Sequence, residues 1–405
     1  MTRNLLFLLS TSPLPIASGG QLRMYHVLRA LARRDHVITV LSFWREEGER
    51  RGLTQLAGEL GIDVVTVPFT RLSRSIRTPS GFLQMLVTQV QGRPGDIAIW
   101  SQPAMFQALE QALASASIDL IQVEWPYLAP YALAHPHIPR VLVTYDIFSV
   151  ALSRRAALAA NPFSHFWLRR QASVWKRYEA SLYGQFAAIG AMSAVDAEII
   201  RHRNAAANPV ILPNGVDTTA LTPGEIRPLV RNLLFVGSPT HAPNLDAACW
   251  LLTAIWPELH RRHPELELTL VNLEHPQVRA CLKPGVELLG RVPDLKPIYR
   301  QADIAVAPLR AGSGTRLKIL EAFALGVPVV STTIGWEGLT VTPGKHLLSA
   351  DDAQDFVEAI EHLIGYPHER ERLVRQARAL VVEHYDWSHI AQLHETMYES
   401  VLALR

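Results

Sequence analysis

The feature that most constrains this chain is an alternation of short apolar runs with helical stretches, played out twice along 405 residues. In the first half Leu5–Leu9, His36–Ser42, Val64–Pro68, Asp96–Trp100, Leu120–Glu124, Arg140–Thr144 and Ala187–Met192 read as buried strands. Helical patterns such as Gln21–Arg33 and Pro103–Leu113 separate several of them, and Asn208–Leu212 adds one more strand. The alternation restarts at Asn232–Val236 and continues through Leu266–Val271, Val286–Leu289, Ile304–Pro308 and Val327–Ser331. Its helices are expected at Asn244–Arg262, Pro293–Arg300, Thr315–Leu325 and Asp351–Ile364, and Trp387–Leu404 reads as a long closing helix. Strands without polar alternation belong to parallel sheets covered on both faces, so the pattern predicts two doubly wound α/β domains. The aperiodic Thr218–Leu229 stretch contains Pro and Gly and is the natural linker. The expected division is 1–217, a linker over 218–230, a second domain over 231–386 and a final helix over 387–405. Ligands of such sheets gather beyond the carboxyl ends of the strands, which makes a cleft between facing domains the expected site.

Composition narrows the chemistry. Lys plus Arg number 39 and Asp plus Glu 37, so a net charge of +2 gives no bulk attraction to nucleic acid. Two cysteines, Cys249 and Cys281, cannot build a disulfide framework and fit a reducing cytosol. The opening Arg3 and Leu5–Leu9 imitate a signal peptide, but Pro13 and Pro15 cut the run short, and a first buried strand accounts for it better. No apolar run approaches the roughly 20 residues of a membrane span.

Two loops carry the chemistry. Gly19-Gly20 follows the first strand and opens a helix, an arrangement that lets backbone amides approach a phosphate. The stronger signal is ArgAlaGlySerGlyThrArgLeuLysIleLeuGlu (310–321), a glycine loop after the strand Ile304–Pro308. Its helix carries Thr315, Arg316 and Lys318 in the first turn and Glu321 beside a buried stripe of Leu317, Leu320 and Ala324. Ribose hydroxyls suit such a carboxylate, and Arg316, Lys318 and the loop amides suit a diphosphate. An ordinary surface Lys–Glu pair at i, i+3 is the plain alternative. No Asp-x-Asp follows a strand end. Asp351-Asp352 reads as a helix cap and His135-Pro-His137 as a surface turn, so no metal ligands are assigned.

The segments ILPNGVD (211–217), LLFVGSPTHAPNLDAACWLL (233–252) and VELLGRVPDLKPIYRQADIAVAPLRAGSGTRLKILEAFALGVPVVST (286–332) resemble the GT-B fold glycosyltransferases of family 4. They are most similar to the bacterial surface-polysaccharide branch with SerGlyThrArg-x-Lys before the donor glutamate. GG-x-x-R (19–23) and the closing HisTyrAspTrp (384–387) also fit. The resemblance implies two Rossmann-like domains and a metal-independent, retaining hexosyl transfer from a nucleotide diphosphate sugar, UDP- or GDP-linked. No cofactor is implied, and the acceptor would be a saccharide or lipid-linked precursor. It gives Glu321 the donor ribose, Gly19 and Gly20 the donor phosphates, and Gly290, Arg291 and Val292 the base. Gly237 and Ser238 would form the turn near the diphosphate, with Ser313, Gly314 and Thr315 in the donor loop. Arg316 and Lys318 would stabilise the leaving diphosphate, and Asp146 would lie near the donor sugar. The last helix would return to the first domain.

Three positions depart from the family pattern. Ser313 stands where the first glutamate of Glu-x7-Glu is usual, Ser238 holds an arginine position, and Tyr145 precedes Asp146 in place of a histidine. The usual Arg and Lys pair after the first strand of the second domain is missing, so phosphate neutralisation falls to Arg316 and Lys318, with Arg310 or His241 in reserve. These changes keep a non-catalytic GT-B-like scaffold as a rival reading, with a sugar-nucleotide epimerase as another. Finally, residues 151–183 set Arg154, Arg155, Arg169, Arg170, Lys176 and Arg177 among Phe163, Phe166, Trp167 and Trp175. Such a helix either packs its aromatics on the sheet or lies on an anionic membrane. The second reading would put a cytoplasmic protein at the inner face of the membrane.

Overall fold

The computed structural model describes residues 2–69, 92–157, 159, 161–312 and 317–403. It divides into two compact units, one of Met1–Pro213 with Ile390–Arg405 and one of Asn214–His389.

The first unit holds a seven-stranded parallel sheet in the order β3-β2-β1-β4-β5-β6-β7. Its strands are β1 (Asn4–Leu9), β2 (Val37–Trp44), β3 (Asp63–Pro68), β4 (Leu120–Glu124), β5 (Arg140–Thr144), β6 (Ala188–Ala191) and β7 (Pro209–Ile211). The second unit holds a six-stranded sheet, order β10-β9-β8-β11-β12-β13. Its strands are β8 (Asn232–Val236), β9 (Glu267–Val271), β10 (Val286–Leu289), β11 (Ile304–Ala307), β12 (Val329–Ser331) and β13 (Leu348–Ser349), again all parallel. The strand order reverses between β1 and β4 in one unit and between β8 and β11 in the other. These are the points where a doubly wound sheet opens a crevice at its carboxyl edge.

The central strands of both sheets are covered on both faces, as the unalternating runs require; β4 and β11 are buried throughout, while the edge strands β3 and β10 are partly exposed. Two core clusters flank the second sheet, one around Trp256 and Phe356 and the other around Tyr299 and Phe323.

Several sequence expectations change. Asp96–Trp100 is no strand: Gly95–Trp100 is a short helix, and its apolar residues serve a helix that buries only Ile97. The basic aromatic segment is two helices, Phe148–Ala157 and Pro162–Tyr183. The second begins where the Asn161 side chain accepts the Phe163 amide and Pro162 occupies the first turn. Asn244–Arg262 is interrupted by a π-turn at Leu251–Ile255, just before Pro257, which cannot donate a helical hydrogen bond. Pro367–His384 is an additional helix that the sequence pattern did not reveal. His135 is buried rather than in an exposed turn, with its Nε2 3.6 Å from Glu110. Among the described residues no group of three His, Cys, Asp or Glu is arranged to hold a metal.

The division between units falls at Pro213, ahead of the expected linker, and residues 218–230 pack within the second unit. Arg370 explains part of this. Its guanidinium is 1% exposed and donates to the carbonyls of Arg227 (2.9 Å) and Pro228 (2.7 Å) and to that of Leu363 (2.5 Å). Arg378 does the same for Thr218 and Leu221, both at 2.7 Å. Two arginines on one helix thus replace the secondary structure that this stretch lacks.

The final helix, Trp387–Leu402, crosses the division and seats its last three turns on the first unit. A buried chain of polar groups receives it. Arg23 donates to Pro213 O (2.6 Å) and reaches His394 Nε2 (3.4 Å), His394 meets Tyr398 Oη (3.3 Å), and Tyr398 donates to Gln122 (2.5 Å). Gln122 in turn donates to Glu124. Burial and the nearby Arg23 cation hold His394 well below the ordinary histidine range, so it accepts as a neutral ring.

Replacing Arg370 leaves several buried carbonyls without donors. Arg370→Ala is expected to lower stability by about 2–4 kcal/mol in chemical denaturation, with Arg370→Lys recovering only part because it cannot fork.

Candidate functional site

In the first unit the loops after β1, β4 and β5 are neighbours at the carboxyl edge. Ser18 caps the helix Gly19–Ala32 by accepting the Gln21 amide (3.3 Å), and Gln21 folds back to donate to Ser12 O (2.9 Å). First-turn amides, here those of Gly19 and Gly20, have no partner within a helix, which suits an anion. A side chain at Gly20 would bring its Cβ to 3.4 Å from the Tyr145 ring, so this position and β5 pack closely.

Tyr145 follows β5 and is buried. Its ring meets Trp125 edge-on (4.5 Å between centroids), and the Arg23 guanidinium lies 5.5 Å from its centroid. Burial, reinforced by the charge of Glu124, holds its hydroxyl well above the ordinary tyrosine range, so it stays protonated. Trp125 itself has φ 91°, an unusual conformation for a bulky residue and one that turns the chain sharply after β4. Asp146 is half-buried at the same edge, and its carbonyl accepts from Thr144 Oγ1 at 2.7 Å.

In the second unit the turn Gly237-Ser238 closes β8. A Cβ on Gly237 would come within 2.4 Å of Leu273, so only glycine lets β8 end against that side chain. Ser238 Oγ pairs with Thr240 Oγ1 at 3.0 Å. Across the reversal point, Gly312 takes φ 120°, open to glycine, as the loop after β11 begins. Ser313, Gly314, Thr315 and Arg316 lie outside the described residues.

The helix Leu317–Leu325 follows, with Lys318 and Glu321 near its start. Lys318 Nζ donates to Asn244 Oδ1 (2.9 Å) and sits 4.5 Å from the Phe235 ring centroid. Asn244, 8% exposed, comes from the helix after β8, so each side of the reversal point contributes to holding the ammonium group. Glu321 is half-buried, 3.3 Å from Tyr299 Oη, and the same hydroxyl is 3.0 Å from Lys318 O. Burial pushes the Glu321 carboxyl up to about 7, against the lowering effects of Tyr299 and Lys318.

At the sheet's far edge, Gly290, Arg291 and Val292 follow β10. The Val292 amide donates to Asn272 Oδ1 (3.1 Å), and Asn272, at φ 56°, ends β9. The structure thus gathers Gly237, Ser238, Lys318 and Glu321 around one reversal point and sets Gly290–Val292 two strands away. Arg310 is engaged elsewhere: it forks onto Asp246 (2.6 and 3.1 Å) and stacks on Trp250 at 5.3 Å. His241 precedes the helix Ala242–Trp250 and is exposed. Sequence reasoning missed Asn244, Phe235 and Tyr299, since only the fold brings them to Lys318 and Glu321.

Two Rossmann-like parallel sheets with carboxyl-edge loops of this kind define the GT-B fold. The sucrose-phosphate synthase of Thermosynechococcus elongatus matches with a TM-score of 0.73 at 16% identity, each chain covered in full. Anabaena HepE, solved in complex with UDP and glucose, matches at 0.65 and 16% identity, covering 98% of this chain and 100% of its own. The family model described as Glycosyltransferase Family 4 matches residues 17–220, and that described as Glycosyl transferases group 1 matches residues 230–365. The chain belongs to glycosyltransferase family 4.

Among curated relatives, a 44.6 kDa protein in the cps region of Klebsiella pneumoniae is 29% identical over 168 residues, 38% of this chain and 42% of its own. The phosphatidyl-myo-inositol mannosyltransferase of Mycobacterium leprae is 29% identical over 205 residues, 47% of this chain and 54% of its own. The chain spans about half the length of the curated relatives it matches.

A carboxyl raised in the folded state favours the protonated form. Stability from Glu321 is therefore fully present below the unfolded value near 4.3 and declines as pH rises towards about 7. Glu321→Gln is expected to remove that decline, gaining roughly 1–3 kcal/mol on the wild type between pH 4.5 and 8 in urea titrations. Parallel pH profiles of the two proteins would count against the buried carboxyl.

Proposed function

We propose that this protein transfers a hexosyl residue from a nucleotide diphosphate sugar to a saccharide or lipid-linked acceptor, with retention and without a metal. The observation that carries the reading is the meeting of Lys318 and Glu321 at the reversal point of the second sheet, one helical turn apart. Diphosphate departure concentrates negative charge on the leaving oxygen, and a fixed cation with aligned amides stabilises that charge most. Lys318 supplies the cation, held in one position by an amide and an aromatic face. Arg316 and the Ser313–Thr315 loop add a second cation and further donors, and the Gly19-Gly20 amides serve the phosphates. Glu321 takes the ribose hydroxyls. Gly237, Ser238 and the Gly290–Val292 backbone complete the donor site, and Asp146 serves at the sugar. UDP is the first base to test, because HepE was solved with it; GDP is the second.

The acceptor is a surface or exopolysaccharide precursor, in keeping with the cps-region relative, and the protein would act in the cytoplasm. The roles of scaffold and epimerase differ in their products. A scaffold releases no nucleotide diphosphate, and an epimerase yields isomerised nucleotide sugar in the absence of acceptor.

A calorimetric screen against UDP, GDP, ADP and their sugars tests the donor site. One nucleotide diphosphate is expected to stabilise the protein by about 2.7 kcal/mol at a hundredfold excess over its Kd. Lys318→Ala is expected to weaken that nucleotide by about tenfold to a hundredfold while sparing the bare nucleoside, because a charged hydrogen bond to phosphate is lost. Equal losses for nucleotide and nucleoside would remove Lys318 from the diphosphate, and no shift with any nucleotide would overturn the reading.

A further inference from the structure

The helix Pro162–Tyr183 outruns the body that supports it. All of its buried residues lie from Ala172 onward, and none in Pro162–Gln171. There Trp175 is 2% exposed and stacks on Phe148 at 4.3 Å. Over Pro162–Gln171, about 15 Å of helix, every residue is exposed or half-exposed. The aromatics of this helix therefore divide. Trp175 packs on the protein, whereas Phe163 is 74% exposed, Phe166 65% and Trp167 37%. Spaced three and four apart, those three share one side of the helix.

Their setting is basic. Arg169 and Arg170 are exposed on the same half-helix, Arg155 is exposed on the preceding helix, and His165 Nδ1 ties the two together at Ala156 O (2.8 Å). From residue 147 to residue 178 the sequence has no Asp or Glu. The first acid beyond, Glu179, is buried against Ser149. Large exposed aromatics are costly in water and unusual on a monomer surface. When combined with cations and no anions, they match an anionic bilayer surface: rings enter the headgroup boundary, and arginine stems lie along it with their charges in the phosphate layer.

We infer that the free half of this helix, with Arg155 beside it, is a docking surface for a membrane of anionic lipid. Residues 147–178, which carry cations and no acid, choose that occupant. A second copy of this chain would bring the same cations against themselves unless acids from elsewhere met them. The site is carried by the first unit alone and stands whether or not the donor reading holds.

Flotation of the full chain with vesicles of phosphatidylcholine containing 30% phosphatidylserine, or phosphatidylcholine only, tests the inference. The protein is expected to float with the anionic vesicles at low salt, to be released by raised salt, and to stay behind with the neutral ones. Phe163→Glu with Phe166→Glu, and separately Arg169→Glu with Arg170→Glu, should each lower the partition coefficient by on the order of thirtyfold or more. These residues touch no core, so unchanged thermal midpoints verify folding. Failure of the wild type to float with anionic vesicles would overturn the inference, as would variants that float undiminished. Self-association in the absence of lipid that Phe163→Glu and Phe166→Glu abolish would also overturn it, in favour of a second copy.

Discussion

Strands β1, β4, β5, β8 and β11 are covered on both faces, and this constraint governs where charge can reside in the rest of the molecule. An ionised group within such a sheet loses its water on all sides, so reactive side chains are driven to the loops beyond the strand ends. There the parallel direction of all strands gathers amides and side chains from distant parts of the sequence. Gly237 comes to the same edge as Lys318 and Glu321 because β8 and β11 are neighbours, though the two strands are far apart in sequence.

Two acids, Glu124 and Glu321, show how burial leads to different outcomes. Glu124 lies within the sheet, is 3% exposed, and accepts from Gln122 in a chain of hydrogen bonds that ends on the last helix. Burial raises its carboxyl, and its neighbours Tyr145, Gln122 and Arg23 each offset part of that. Such a group fixes where a helix docks. Glu321 is raised by the same desolvation, but it sits past the strand end, half-accessible, beside one tyrosine hydroxyl and one lysine. Its position past the strand end leaves it open to further hydrogen-bond donors.

Much of the fold was legible because apolar runs without alternation have one structural solution. The failures have definite causes. Asp96–Trp100 is apolar and short, and at that length a buried strand and a helical turn look alike. Pro367–His384 carries its apolar residues at helical spacing, but they are interleaved with Glu and Arg and were passed over, and Arg370 and Arg378 on it organise the 218–230 segment. At the site, Lys318 and Glu321 stood out because a glycine loop precedes them. Asn244 and Tyr299 did not, since an asparagine in a helix start and a tyrosine in an amphipathic turn have no local signature. The pairing of Arg310 was hidden for a similar reason: its partner Asp246 lies 64 positions away.

The final helix has a consequence for the order in which the molecule can be completed. The first unit receives His394 and Tyr398 onto Arg23 and Gln122 from residues that follow the whole second unit in sequence. Domains ordinarily fold in order of synthesis. Here the amino-terminal sheet keeps a polar seam uncovered until the carboxyl-terminal sheet has been synthesised, so a chain cut before residue 390 is expected to carry an unsealed first half.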